Sequence, residues 1–547
     1  MTMTVVQHVL ARLKDIGITD VFGVPGDYSF PVNDAICDDP AMRWIGCCNE
    51  QNAAYAADGY ARVKGVGALC TTFGVGELGA LNGIAGACAE HLPLFHLVGT
   101  PGLGTQSARA MMHHTFGDGE YNVFRRMTEP VVCAQAVMTQ WNVARETERL
   151  IAEARYHRRP VYMAFPADAA NQPVLDEAAP LPRPRSNPAS LEAATHAIAE
   201  ALSHARSACV LPGILVARTC QRAAMKTVIE AANLPFATMF MAKSVLDEQH
   251  PNFVGMYDGA LMNPDVRDFV EGCDKVLVVG AMMSGLNTDA FTARLDPFRT
   301  ITIRHHRTEV GGKTFANVEI GELLAELARR LPTRAWPRIR PRSPEPVVGE
   351  GGDPISAEAL YPRWDSFVRA NDILIAETGT VAMGLGFARL PHGAAFHNQT
   401  LWGSIGWATP AAFGAAVAAP ERRVVVVTGD VAHQFTAQEI SQFGRLGLKP
   451  IIFVLNNDGY LTERLLCEDP AVACHDIARW RYAELPRALG CEDWFTARAT
   501  TCGELDFAME QASWSGTAAY IEVITNAYAA SPLAAKLHNA VNTLYAA

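Results

Sequence analysis

Short unbroken apolar runs recur along this chain, each closed by glycine, proline, asparagine, aspartate or threonine. They read VFGVPG (21–26), GALCTTFG (67–74), FHLVGTPG (95–102), PVYMAFP (160–166), ACVLPG (208–213), KVLVVG (275–280), DILIAETG (372–379), VVVVTGD (424–430), PIIFVLNN (450–457) and YIEVITN (520–526). Between them lie alanine-rich stretches of helical spacing, such as NAAYAADGYARV and SLEAATHAIAEALSHA. A strand that is apolar at consecutive positions is buried on both faces, and alternation with helices supplies the cover. The pattern predicts an α/β fold of doubly wound parallel sheets.

Two stretches break the rhythm, APLPRPRSNP (179–188) and RAWPRIRPRSPEPVVGEGGDP (334–354). Their proline density and lack of apolar period read as linkers. They divide the 547 residues into three α/β domains, 1–178, 189–333 and 355–547.

Composition narrows the class. Apolar residues make up 49% and charged residues 19%, and the net charge of −11 disfavours nucleic acid as a partner. The first twenty residues lack a basic region followed by a long apolar one, and no stretch offers about 18 uncharged apolar residues, so neither a signal peptide nor a membrane span is expected. The thirteen cysteines form no CxxC pair and are read as buried thiols in a reducing compartment, with the cytoplasm as the expected location.

In open parallel sheets ligands bind beyond the carboxyl ends of the strands. That rule directs attention to Asp27, Thr72, Thr378, Asp430 and Asn457, each just past an apolar run. Asp430 and Asn457 end two strands joined by one helical stretch, TAQEISQFGRLGL, and such strands are often neighbours. Oxygens from Asp430, the Asn457 side chain and the carbonyl near Gly459 then suit one hard divalent ion, which would itself hold a diphosphate. The plainer alternative is that Asp430 caps the helix after it.

GD, then NN at 26 and 27 residues after the aspartate, then GY two residues beyond, resembles the thiamine-diphosphate motif of the 2-oxo acid decarboxylases. The resemblance spans essentially the whole chain, through GVPGD (23–27), CCNEQNAAYAADGYARVKG (47–65), HHTFGDG (113–119), DEQHP (247–251) and LWGSIGWATPAAFG (401–414), and is nearest to the pyruvate and indolepyruvate decarboxylases. It implies pyrimidine-binding, central and diphosphate-binding domains in that order. It also implies non-oxidative decarboxylation of a 2-oxo acid to the aldehyde and CO2, a carbon–carbon lyase reaction through a thiamine-diphosphate ylid and an enamine, since no side chain is an adequate electron sink.

What the resemblance assigns can be laid onto matching residues. Asp430, Asn457 and the Gly459 carbonyl would hold Mg2+ and the diphosphate, with Thr378 and Gly429 beside the cofactor. Ile405 would be the wedge that bends the cofactor, and Glu50 the carboxylate on its pyrimidine ring. Asp27, His113, His114 and Glu463 match the proton-handling set, in which burial and mutual contact tune each group. The chain has a second histidine pair in RHHRTE (304–309), read as surface or inter-domain. Since the first and third domains of such enzymes meet across a subunit interface, the resemblance implies a dimer at least, with a homotetramer as the usual state.

Departures and wall residues qualify the picture. The family pattern has a small residue after GD, where this chain has Val431, then Ala432 and His433, and weaker cofactor binding is expected. The substrate wall is expected to include Leu286, Ala382, Met383, Thr462 and Leu466, and the small Ala382 and Thr462 favour branched, long-chain or aromatic 2-oxo acids over pyruvate. Cys220 lies near a cysteine linked to substrate activation in some pyruvate decarboxylases, but is read as a buried core thiol. A carboligase of acetolactate-synthase type, or an inactive binding protein of the same fold, are the competing readings. The HH pair argues against the first, and Glu50 with Glu463 against the second.

Overall fold

The computed structural model describes residues 3–539. Three sheets follow one another along the chain. In the first, β1 (Asp20–Gly23), β2 (Arg43–Gly46), β3 (Gly67–Thr72), β4 (Leu94–Thr100), β5 (Ala134–Val137) and β6 (Val161–Pro166) pair in the order β2-β1-β3-β4-β6-β5, all parallel. The second contains β7 (Ala208–Pro212), β8 (Phe236–Thr238), β9 (Phe253–Met256), β10 (Lys275–Val279), β11 (Thr300–Ile303), β12 (Arg307–Val310) and β13 (Lys313–Ala316), in the order β13-β12-β11-β10-β7-β8-β9. The third comprises β14 (Ile373–Ala376), β15 (Ala395–His397), β16 (Val424–Gly429), β17 (Ile451–Asn456), β18 (Phe495–Ala499) and β19 (Ala519–Ile524), again parallel throughout, in the order β15-β14-β16-β17-β19-β18.

The fold is thus α/β as the apolar runs predict, with one refinement. β12 and β13 close the second sheet as an antiparallel hairpin, with Val310 opposite Lys313. The two residues between them, Gly311 and Gly312, both have positive φ (55° and 79°), which a two-residue hairpin of matching twist requires and glycine supplies without strain. The helical stretch after Asp430 is also broken: a helix over Asp430–Thr436 passes through one 3-10 turn, Ala437–Glu439, into a second helix, Ile440–Arg445.

The first and third units share a core. The helix Glu50–Lys64 starts at the N-cap Asn49, whose side chain accepts from Asn52 N, carries Arg62 and Lys64 in its last turn, and ends at left-handed Gly65. It is buried along most of its length against the helix Ala408–Ala418. The two backbones approach so closely that a Cβ at Gly59 would stand 1.9 Å from the Ala411 carbonyl oxygen, and one at Gly414 1.8 Å from that of Ala56. Small residues here are a geometric necessity, because any side chain forces the helices apart. Gly59→Ala is expected to destabilise the protein by about 3 kcal/mol, read as a lowered thermal midpoint.

Two sequence expectations meet corrections. Cys220 is an exposed thiol near Gly65, where the first and second units meet, and not a buried core thiol; its backbone turns left-handed (φ 61°) just before the helix Arg222–Ala232, which turns the side chain outward. Cys37, Cys48 and Cys474 are exposed as well, although all thirteen cysteines are free. The 334–354 stretch has no helix or strand but is anchored: the Trp336 indole donates to Ala232 O at 3.0 Å, and the Arg334 guanidinium lies 4.4 Å over its ring. The second histidine pair sits between units, with His306 stacked on Tyr156 at 3.8 Å and its Nε2 2.8 Å from the Tyr156 carbonyl oxygen.

Candidate active site

The carboxyl edges of the first and third sheets carry almost every residue singled out by sequence. In the third sheet the strand order reverses between β14 and β16, the place where an open sheet leaves a crevice. Thr378 follows β14 there, Asp430 follows β16 and Asn457 follows β17. In the first sheet the reversal lies between β1 and β3, and Asp27 follows β1 while Glu50 follows β2.

Asp430 is buried, and it does not cap its own helix: the N-cap is Gly429 and the helix has no side-chain cap. Its Oδ1 accepts from Val431 N at 2.8 Å, and its Oδ2 accepts from Asn457 N at 3.2 Å and Gly459 N at 3.1 Å. The loop after β17 is therefore wrapped round this carboxylate. Burial pushes the Asp430 carboxyl up to about 6, opposed by those backbone donors. The Asn457 side chain lies against the Gly459 carbonyl oxygen at 3.0 Å, donating through Nδ2. A half-turn of the amide puts its oxygen in the same place, and adjacent oxygens on one octahedral Mg2+ stand about 2.9 Å apart. The donor set fits a hard divalent ion.

Nearby, Thr378 donates through Oγ1 to Gln399 O at 3.3 Å, and a Cβ at Gly379 would lie 3.3 Å from the Thr462 hydroxyl. Half-buried Ile405 belongs to a loop tied to the first unit, where Ser404 Oγ meets Tyr55 OH at 2.7 Å and accepts from Asn82 Nδ2 at 3.1 Å. Glu463 is exposed on the short helix Leu461–Leu466, which also carries half-buried Thr462 and Leu466. Ala382 and Met383 are buried in the apolar cluster between the second and third units, and Leu286 packs on the same cluster. Thr462 and Leu466 lie on the helix after β17.

In the first unit, His113 Nε2 lies 2.7 Å from Asp27 Oδ2, and its ring stacks on Tyr28 at 4.8 Å. The His114 ring stands 4.7 Å from that of His113. Glu50 is half-buried, and among the described residues no hydrogen bond or ion pair engages its carboxylate. Gly76 and Gly79 leave the space beside it, since Cβ atoms there would come within 3.3 and 3.1 Å of its oxygens. No hydrogen bond or ion pair among the described residues joins this group to Asp430, Asn457 or Glu463.

Sequence reasoning missed three buried titratable groups in this region. Glu439 Oε2 accepts from Asn52 Nδ2 at 2.7 Å and Cys48 N at 3.2 Å, pinning the turn before Glu50 from the third unit. His433, unexpected after GD, is fully buried with Nδ1 3.1 Å from Thr409 Oγ1, and burial drives it down to about 3, so it is neutral. Glu377, directly before Thr378, accepts from Thr378 N, Ala408 N and Thr428 Oγ1. A glutamate at the end of the run DILIAE was the available signal for it.

Burial raises the Glu377 carboxyl from 4.5 to about 7. The folded chain therefore holds this proton more tightly than the unfolded one, and stability falls as pH rises from about 4.5 through about 7. Glu377→Gln is expected to flatten that slope in the cofactor-free protein by about 2–3 kcal/mol, read from melting at pH 5 and pH 8.

With this geometry in view, comparisons with known proteins identify the family. Residues 3–120 match the model of the thiamine pyrophosphate enzyme N-terminal TPP binding domain, 195–331 the central domain and 377–523 the C-terminal TPP binding domain. The chain is 39% identical over 516 residues to the alpha-keto-acid decarboxylase of Mycobacterium ulcerans (strain Agy99), covering 93% of this chain and 91% of that protein. It is 40% identical over 516 residues to that of Mycobacterium tuberculosis (strain ATCC 25618 / H37Rv), covering 93% and 92%. The same-named protein of Mycobacterium leprae (strain TN) is 39% identical over 520 residues, covering 93% and 90%. Likeness of this degree along nearly all of both chains shows that the protein belongs to the thiamine-diphosphate-dependent 2-oxo acid decarboxylase family.

Proposed function

We propose that this protein is a carbon–carbon lyase that converts a 2-oxo acid to the aldehyde and CO2, with thiamine diphosphate and Mg2+ bound between domains 1–178 and 355–547 and with 189–333 as the central domain. The observation that carries the reading is the loop Asn457–Gly459 wrapped round the Asp430 carboxylate, with the Asn457 amide against the Gly459 carbonyl oxygen. Asp430, the Asn457 amide and the Gly459 carbonyl would hold the metal, Gly429 and Thr378 would contact the diphosphate, and Ile405 would pack against the cofactor. Thiamine diphosphate, when bound, supplies the carbon nucleophile and the electron sink that loss of CO2 needs. Glu50 holds a proton at the pyrimidine ring. Asp27, His113, His114 and Glu463 move the two others: one delivered to carbon after CO2 leaves, one taken from the hydroxyl before the aldehyde departs.

The site is completed by a second chain, in a dimer at least and a homotetramer by family habit. Large apolar side chains support this, for they stand exposed beside both halves: Phe30 53%, Val75 57% and Met111 80% near Asp27 and His113, and Trp402 42% and Phe435 51% near Ile405 and Asp430. Small Ala382 and Thr462 support a preference for branched, long-chain or aromatic 2-oxo acids. The test is CO2 release from pyruvate, 2-oxoisocaproate, 2-oxooctanoate and phenylpyruvate with saturating Mg2+ and thiamine diphosphate. Release from none of them overturns the function, and fastest release from pyruvate overturns the preference. Val431→Gly is expected to tighten thiamine-diphosphate binding several-fold by calorimetry, and unchanged affinity would sink the idea that this side chain holds the backbone off the diphosphate.

A further inference from the structure

We infer that Asp27, His113 and His114 form a site for a borderline divalent transition metal such as Zn2+ or Co2+, distinct in chemistry from the all-oxygen pocket at Asp430. The ligand atoms of the three residues all lie within 4.8 Å of one another, with His113 Nε2 and Asp27 Oδ2 already at 2.7 Å. Ligands that share one metal at about 2.0–2.1 Å stand about 3 Å apart, so rotation of the exposed Asp27 and His113 side chains toward half-buried His114 closes the set. Two imidazoles and one carboxylate on one side of an ion are the donors that iron, cobalt and zinc prefer, whereas Mg2+ selects oxygen.

The backbone explains how neighbours in sequence share a face. Consecutive residues of an extended chain point opposite ways. His114 instead has φ 62°, a left-handed turn that brings its ring to 4.7 Å from that of His113. The turn is packed in place, since the His114 carbonyl oxygen sits where a Cβ at Gly74 would be 2.2 Å away, and only glycine admits it. The loop is braced further by Tyr121 OH donating to Ala110 O at 2.6 Å and Thr115 Oγ1 donating to Met112 O at 2.7 Å.

Orientation of the rings also suits coordination. His113 presents Nε2 to Asp27, while its ring face is held by stacking on Tyr28. His114 Nδ1 is buried without a hydrogen-bond partner, so nothing in the protein fixes its tautomer. Asp27 and His113 are about half exposed, and the site is open to an incoming ion. A metal here engages His113 and Asp27 directly and removes them from proton traffic. The site itself does not depend on the decarboxylase reading, and only that consequence does.

The experiment is titration of Co2+ into protein saturated with Mg2+ and thiamine diphosphate, followed by the visible bands of nitrogen-ligated Co2+. Wild type is expected to bind one Co2+ per chain at this site, and Asp27→Asn and His113→Gln each to bind it at least about tenfold more weakly. His306→Gln, in the other histidine pair, should titrate like wild type. Circular dichroism verifies that the variants fold, and their replaced side chains are exposed. Curves identical in wild type and both site variants, or no Co2+ bands in wild type, would overturn the site. Neither result depends on CO2 release, so failure here is separate from failure of the proposed function.

Discussion

Glu50→Gln is expected to lower kcat for CO2 release by about 10²–10⁴ while leaving the melting temperature unchanged within a degree or so. The reasoning begins with what this carboxylate does not do. Among the described residues it has no hydrogen bond or ion pair, although it heads a helix whose cap is supplied by Asn49 and whose entry turn is held by Glu439. Its fold-holding neighbours are therefore other residues, and glutamine, of the same shape, leaves them undisturbed. What glutamine removes, on the proposed function, is the ability to hold and release a proton at the cofactor ring. Steady-state kinetics beside circular dichroism separates the two roles. A rate within tenfold of wild type would remove Glu50 from the chemistry, and a lost helix signal would make it structural.

Asp430→Asn is expected to weaken Mg2+-dependent binding of thiamine diphosphate by about a hundredfold or more, measured by calorimetry, with little loss of stability. The carboxylate accepts three backbone N–H groups, and an asparagine oxygen can still accept from those on one side. Burial already holds the carboxyl up near 6, so a neutral replacement relieves a desolvation cost. On the proposed function, the charge that would face the metal is what disappears. Unchanged affinity would show that the wrapped loop serves the fold alone.

How far such residues were visible beforehand depends on burial geometry. All ten apolar runs became strands, from β1 to β19, because a strand covered on both faces must be apolar at every position. Among the strands that escaped are all six sheet edges, β2, β5, β9, β13, β15 and β18, which are short or carry polar residues and so lack that signature. The same logic separates the site residues. Asp27, Thr378, Asp430 and Asn457 follow recognisable strands and were locatable by rule, and Glu50 and the histidines only by resemblance. Glu439 and His433 sit inside helical sequence, where nothing marks a polar residue as buried until tertiary packing closes over it. Cys220 departs from its sequence expectation for the converse reason, since an apolar neighbourhood in sequence, LVARTC, lies at an open junction in space.

The helix pair locked at Gly59 and Ala411 bears on how the chain is made. N-terminal domains generally fold first as they leave the ribosome, at about 5–20 residues per second. Here the main helix of the first unit finds its covering surface only in residues 408–418, so that face stays uncovered while about 350 more residues are synthesised, for tens of seconds. During that interval an alanine- and tyrosine-rich surface waits for a partner from its own chain. The alanine content of this helix keeps that waiting surface small in area per residue, and its last-turn cations and buried Asp58–Arg62 pair give it polar groups to hold water until the third unit arrives.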